Sequence, residues 1–171
     1  MSAEKSQGVL QRETLMGTLQ TCVDEVFAMM VCSKEAMKTV EVVSPRDQSR
    51  LRFRNQANEA ADVAKQVSIG FEGDASGRVV LRCSVETADC IARGLLLVDE
   101  SEALELEAVT DALGECANML AGSLKTKALD PVGSFQLGLP DFSDPRPSGA
   151  MEGVLVYRVA QGLMSVEVWL E

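Results

Sequence analysis

The stretch Leu106-Glu107-Ala108-Val109-Thr110-Asp111-Ala112-Leu113-Gly114-Glu115-Cys116-Ala117-Asn118-Met119-Leu120-Ala121-Gly122-Ser123-Leu124 decides how this chain is read. At about 100° per residue, Leu106, Val109, Leu113, Cys116, Leu120 and Leu124 fall on one stripe, which predicts a helix that buries this side. Glu107, Asp111, Glu115, Asn118 and Gly122 fall on the other side, one turn above another, and are expected to face solvent. The pattern extends from about Ala103 to Ala128, and Asp130-Pro131 stops it.

A carboxylate and a carboxamide side by side on a rigid exposed surface can do two jobs. The carboxylate can pair with a lysine of a partner, and the carboxamide can hold a water through its oxygen or nitrogen. Exposed glutamates on helices are ordinarily solvated, so spacing alone does not separate a working face from a bland one. Asn118 is less ordinary, because asparagine competes for backbone hydrogen bonds in mid-helix. Gly114 and Gly122 flank the pair, although glycine in a helix interior costs up to about 1 kcal/mol relative to alanine. Small neighbours there are expected to let a partner's backbone come close.

Outward from this helix, Gly8 to Cys32 reads as a second long amphipathic helix, with Leu15, Leu19, Val23, Val26 and Met30 at three- and four-residue spacing. A short strand is expected at Thr39–Val43, then polar loop from Arg46 to Asp62 with an edge strand near Leu51–Arg54. Lys65–Phe71 and Arg78–Cys83 alternate around Gly73-Asp74-Ala75-Ser76-Gly77, a hairpin whose glycines would supply positive φ. Ser84 is a candidate N-cap for a short helix, Val85–Gly94. Ser134–Leu139 reads as a strand ending at Pro140. Asp141–Ala150 reads as a surface loop, and Gly153–Val159 with Leu163–Leu170 as a second hairpin.

Long helix and hairpin thus occur twice, about ninety residues apart. Thr21 to Ala28 registers loosely against Asp111 to Asn118, and Leu19, Val23, Val26, Met29 and Met30 fall opposite Val109, Leu113, Cys116, Met119 and Leu120. The expectation is an α/β fold of the α+β type: one pseudo-duplicated domain over residues 1–171, long helices packed on a largely antiparallel sheet. Residues 1–7 are expected to be disordered.

Composition narrows the chemistry. Apolar residues make up 46% and charged residues 25% of the 171, as in ordinary globular proteins. No apolar run approaches the roughly 18 residues of a membrane span, and Met1-Ser2-Ala3-Glu4-Lys5 lacks secretory-signal order, so a cytoplasmic protein is expected. There is no histidine, which removes Ser-His and Cys-His chemistry and the commonest metal ligand. Cys22, Cys32, Cys83, Cys90 and Cys116 form no CxxC pair, so reduced thiols and no metal site are expected. A net charge of −10 disfavours nucleic acid and anionic membranes. The basic cluster Arg46, Arg50, Arg52 and Arg54 reads as a solvated loop or edge.

Asp111-x3-Glu115-x2-Asn118, followed by Pro140 after a strand, resembles the signature of the CheC/CheX/FliY phosphatases of bacterial chemotaxis. Glu115-Cys116-Ala117-Asn118-Met119-Leu120-Ala121-Gly122 is similar to the family's Glu-x-x-Asn-(apolar)2-Ala-Gly stretch. Val67-Ser68-Ile69-Gly70-Phe71 with Gly73, Gly77 and Val79-Val80-Leu81 is similar to its first hairpin.

The resemblance implies a phosphatase acting on a phosphorylated receiver domain of the CheY type, with a helix inserted into the partner's active site. Glu115 would pair with the receiver's lysine and Asn118 would orient the attacking water. Asp111, Gly122 and Pro140 would support them. No cofactor or metal of its own is implied, the Mg²⁺ being the receiver's. The first helix keeps Glu25 but carries Ala28 where asparagine is needed, so that half is expected to be inactive. One motif per chain resembles CheX most, which implies a homodimer. The terminal hairpin is the candidate interface, on the premise that it offers an unpaired edge. A non-catalytic module binding a receiver or a flagellar-switch component is the alternative.

Overall fold

The structure is a computed structural model, and residues 12–30, 37–43, 65–143, 148–159 and 162–171 are described. The basic cluster Arg46 to Arg54, the edge strand expected within it, Cys32 and residues 1–7 lie outside these residues.

Helix α1 spans Arg12–Met29, and its predicted stripe Leu15, Leu19, Val23, Val26 and Met30 is buried. Strand β1 is Met37–Val43, and the first hairpin joins β2 (Lys65–Gly73) to β3 (Gly77–Cys83). Helix α2 runs from Val85 to Leu96, and the Ser84 side chain accepts from the Thr87 N–H as the expected cap. Helix α3 covers Leu106–Leu124 and passes into a π-helical turn, Lys125–Leu129, before β4 (Phe135–Asp141). Strands β5 (Ala150–Val159) and β6 (Gly162–Leu170) form the second hairpin.

All strand pairs are antiparallel, in a six-stranded sheet of order β1-β5-β6-β3-β2-β4. Replacing each strand by its counterpart three places away in sequence reverses this order and leaves the same sheet. The repeat read from the two helix–hairpin units is therefore a two-fold relation in the sheet, with the axis between β6 and β3. Helix α3 packs on β2, β3 and β4, α1 packs on β5, and α2 packs on β6. One core results, in which Leu113, Cys116, Leu120 and Leu124 meet Val67, Ile69, Leu81, Tyr157 and Val166.

Four expectations need correction. The terminal hairpin offers no free edge: β5 lies between β1 and β6, and β6 between β5 and β3, so β1 and β4 are the edges. Leu106 is 65% exposed: it is the first residue of α3, and the buried stripe begins one turn later at Val109. Gly77 does not take positive φ; its missing Cβ makes room for the Trp169 carbonyl oxygen, which a Cβ would meet at 2.2 Å. The strand before Pro140 does not end there but runs on to Asp141, with Pro140 opposite Ile69. Proline fits because β4 is an edge, where no neighbour asks for its N–H.

Candidate functional site

Helix α3 places the predicted face as the period requires. Asp111 and Glu115 are exposed, and Asn118 and Gly122 are partly exposed. Cys116, between them in sequence, points the other way, and burial raises its thiol pKa. Among the described residues, no hydrogen bond or ion pair engages the side chains of Asp111, Glu115 or Asn118. Their polar atoms are left to water or a partner. Glu115 and Asn118 stand one turn apart on a helix whose inner side is buried from Val109 to Leu124, so their spacing is fixed by the core.

The two glycines differ. Gly122 is open, with nothing beyond its own helix backbone within 4 Å of where a Cβ would stand, and its carbonyl accepts from the Lys125 N–H and from the Thr126 hydroxyl, the latter at 3.0 Å. Gly114 is buried, and does not offer the space to a partner that its spacing suggested. A Cβ there would lie 3.2 Å from Phe142 Cζ and 3.6 Å from Pro140 Cβ and Cγ. Pro140, distant in sequence, thus packs on α3 beside Glu115, which brings together all five residues singled out from the sequence: Asp111, Glu115, Asn118 and Gly122 on the helix, and Pro140 against it.

In α1, Glu25 and Ala28 are both exposed, at the positions matching Glu115 and Asn118. Here the carboxylate is already taken, since Lys127 of the π-helical turn donates to Glu25 Oε2. Two features thus set the α1 face apart from that of α3: it lacks a carboxamide, and its glutamate is paired within the chain. Among the described residues, no group of three or more His, Cys, Asp or Glu is placed to hold a metal ion, and no helix is long and apolar enough to cross a membrane.

Residues 66–147, which carry β2, β3, α2, α3 and β4, match the family model of the chemotaxis phosphatase CheX. Over this segment the chain is similar to CheX. No curated protein matches it. Solved structures agree in fold across nearly the whole chain. A chain in a CheX–CheY–BeF3–Mg complex from Borrelia burgdorferi is 13% identical, with 92% of this chain and 97% of that one covered at a TM-score of 0.65. CheX from Vibrio vulnificus is 18% identical, with 92% and 99% covered at 0.65. A FliM middle domain from Vibrio alginolyticus is 9% identical, with 91% and 90% covered at a lower TM-score of 0.51. At such identities the likeness is one of fold. Sequence reasoning missed Phe142, which follows the proline inside a stretch read as loop and reaches Gly114 of α3.

Proposed function

We propose that this chain is a phosphatase that hydrolyses the aspartyl phosphate of a CheY-like receiver domain, with α3 entering the partner's active site. The observation that carries this reading is the Glu115/Asn118 pair, one turn apart, exposed at Glu115 and partly exposed at Asn118, with no side-chain hydrogen bond or ion pair among the described residues, within the segment that matches the CheX model. The Glu115 carboxylate pairs with a lysine ammonium of the receiver and fixes the approach of the helix. The Asn118 carboxamide holds a water in line with the phosphorus. The water oxygen forms the new P–O bond while the bond to the aspartyl oxygen breaks, leaving inorganic phosphate and a free carboxylate. Mg²⁺, bound by the receiver, would offset charge on the phosphoryl oxygens. This chain contributes position and electrostatics, which is what phosphoryl transfer mainly requires.

Phosphate release from phosphorylated receivers tests the proposal. Asn118→Ala is expected to lower the accelerated rate about 100-fold or more, the scale of a lost positioning contact, with the unfolding midpoint near wild type because no internal hydrogen bond of the side chain is lost. Glu115→Ala is expected chiefly to raise KM. Wild-type rates in both variants would sink the reading. The FliM fold likeness keeps a second reading in view, a non-catalytic module, which would bind receiver stably without hastening phosphate loss.

A further inference from the structure

Phe142 reaches α3 because of an irregularity in β4. Leu137 lies opposite Phe71 and Pro140 opposite Ile69, so Gly70 alone opposes both Gly138 and Leu139, a bulge of one extra residue. Leu137 and Ile69 belong to the side of the sheet that packs with α3 in the core. Strict alternation from Leu137 would turn Leu139 and Asp141 toward the helix and send Pro140 and Phe142 to the opposite side. The extra residue reverses this. Pro140 and Phe142 meet Gly114 of α3, while Leu139, turned to the other side of the sheet, is 87% exposed.

What the bulge aims is then held. Asp141 Oδ1 accepts from the Ser143 N–H at 2.9 Å and the Ser143 hydroxyl at 2.6 Å, which closes a turn around Phe142. The ring tip, Cζ, lies 3.2 Å from where a Cβ at Gly114 would stand. Gly114 directly precedes Glu115 and lies four residues before Asn118, so in the helix its carbonyl is the acceptor for the Asn118 N–H. The ring therefore bears on the turn of backbone that carries both working side chains. Glycine at this point weakens the helix by up to about 1 kcal/mol relative to alanine and adds backbone freedom, which a contact from outside the helix can take away. Phe142 remains 43% exposed, so the core depends little on it.

We infer that Phe142 is a positioning residue for phosphate release: its ring braces α3 at Gly114 and holds the Asn118 carboxamide where the attacking water is in line. The inference rests on the phosphatase reading above. Phe142 acts through the helix backbone and not on the receiver. Its removal loosens a geometry that matters in the transition state and leaves docking through Glu115 as it was. A displacement of about 1 Å in such a group can cost roughly 100-fold in rate. The effect therefore belongs in kcat and not in KM.

The experiment is steady-state dephosphorylation of a phosphorylated receiver by wild type, Phe142→Leu and Phe142→Ala, with hydrogen exchange at the Asn118 amide of each free protein. Phe142→Ala is expected to lower kcat about tenfold with KM within about twofold of wild type, and to speed exchange at Asn118 about tenfold. Phe142→Leu keeps apolar bulk against Gly114 and is expected to restore kcat to within about threefold of wild type. Unchanged kcat in Phe142→Ala overturns the inference, while loss of activity in Asn118→Ala would still uphold the phosphatase reading. A leucine variant as slow as the alanine one also overturns it. So does a raised KM with kcat unchanged, which would mean that the ring contacts the receiver. Should wild type hasten no receiver's phosphate loss, the phosphatase reading fails, and exchange decides the brace alone: faster exchange in Phe142→Ala supports it, equal exchange overturns it.

Discussion

Gly114 of α3 and Pro140 of β4 are in direct packing contact, so that a Cβ added to the glycine would stand 3.6 Å from both Cβ and Cγ of the proline. This joins the helix face to the edge strand and explains how a residue far along the chain belongs to the site. The close approach is to Phe142, at 3.2 Å, and that ring lies at the end of a half-exposed side chain able to yield a little.

A size series at position 114 follows. Alanine gains helix propensity of up to about 1 kcal/mol and gives part of it back by pushing Phe142, so thermal unfolding should stay near wild type. Gly114→Leu overpacks the joint and should cost about 1–3 kcal/mol. A leucine variant as stable as wild type would show that β4 does not press on α3 here.

Gly122 should behave in the opposite sense. With open space around it, Gly122→Ala should stabilise the fold by about 0.5–1 kcal/mol. If a receiver's backbone approaches closely there, the same methyl should raise KM. Thermal melts and kinetics on one preparation separate the two effects, and a stabilised variant with unchanged KM removes Gly122 from the docking surface.

Leu97 closes α2 in the left-handed conformation, φ 54° and ψ 41°, while its side chain is 77% exposed. Glycine is the usual residue at such an end, and a side chain there costs about 1–2 kcal/mol. Leu97→Gly loses little burial and should raise Tm by about 2–4 °C per kcal/mol recovered. A lower Tm would mean that Leu97 packs on something at that end.

The fold should weaken in alkali. Burial pushes the Cys83 thiol from an ordinary 9.0 up to about 12, with Lys65 opposing, and burial likewise raises Cys116 and the Tyr157 hydroxyl. Each holds its proton more tightly folded than unfolded, so its contribution is whole below about pH 9 and is lost as pH climbs toward 12. Urea unfolding at stepped pH should show stability falling above pH 9 by ~1.4 kcal/mol per unit for each ionising group. Cys83→Ala should make that slope shallower; an unchanged slope would place the loss elsewhere.

Local periodicity made much of this legible. The α3 stripe, both hairpins and the Ser84 cap follow from contacts within a few residues, and so does the outward face with Asp111, Glu115 and Asn118. What the sequence hid depends on distant partners. Strand order is one case: nothing within Leu163–Leu170 says that β3 will lie beside it, and the unpaired edge assigned to the hairpin was wrong for that reason. Gly114 is another, since its space is filled from β4. The β4 bulge, and with it the exposure of Leu139, arises from a mismatch with β2 across Gly70 that no single-strand pattern contains.

The position of β6 has a consequence for how the protein is made. Residues 162–170 are the seam between β1-β5 and β3-β2-β4. Until they are in place, the ladders β1-β5 and β3-β2-β4 have no strand pairing with each other, and Leu81 and Val79 lack their neighbours Val166 and Val168. Closure of this sheet is therefore a late, long-range event, slow by its topology and exposed to mispairing until it happens. Until β6 arrives, one side of β5 and one side of β3 stay unpaired.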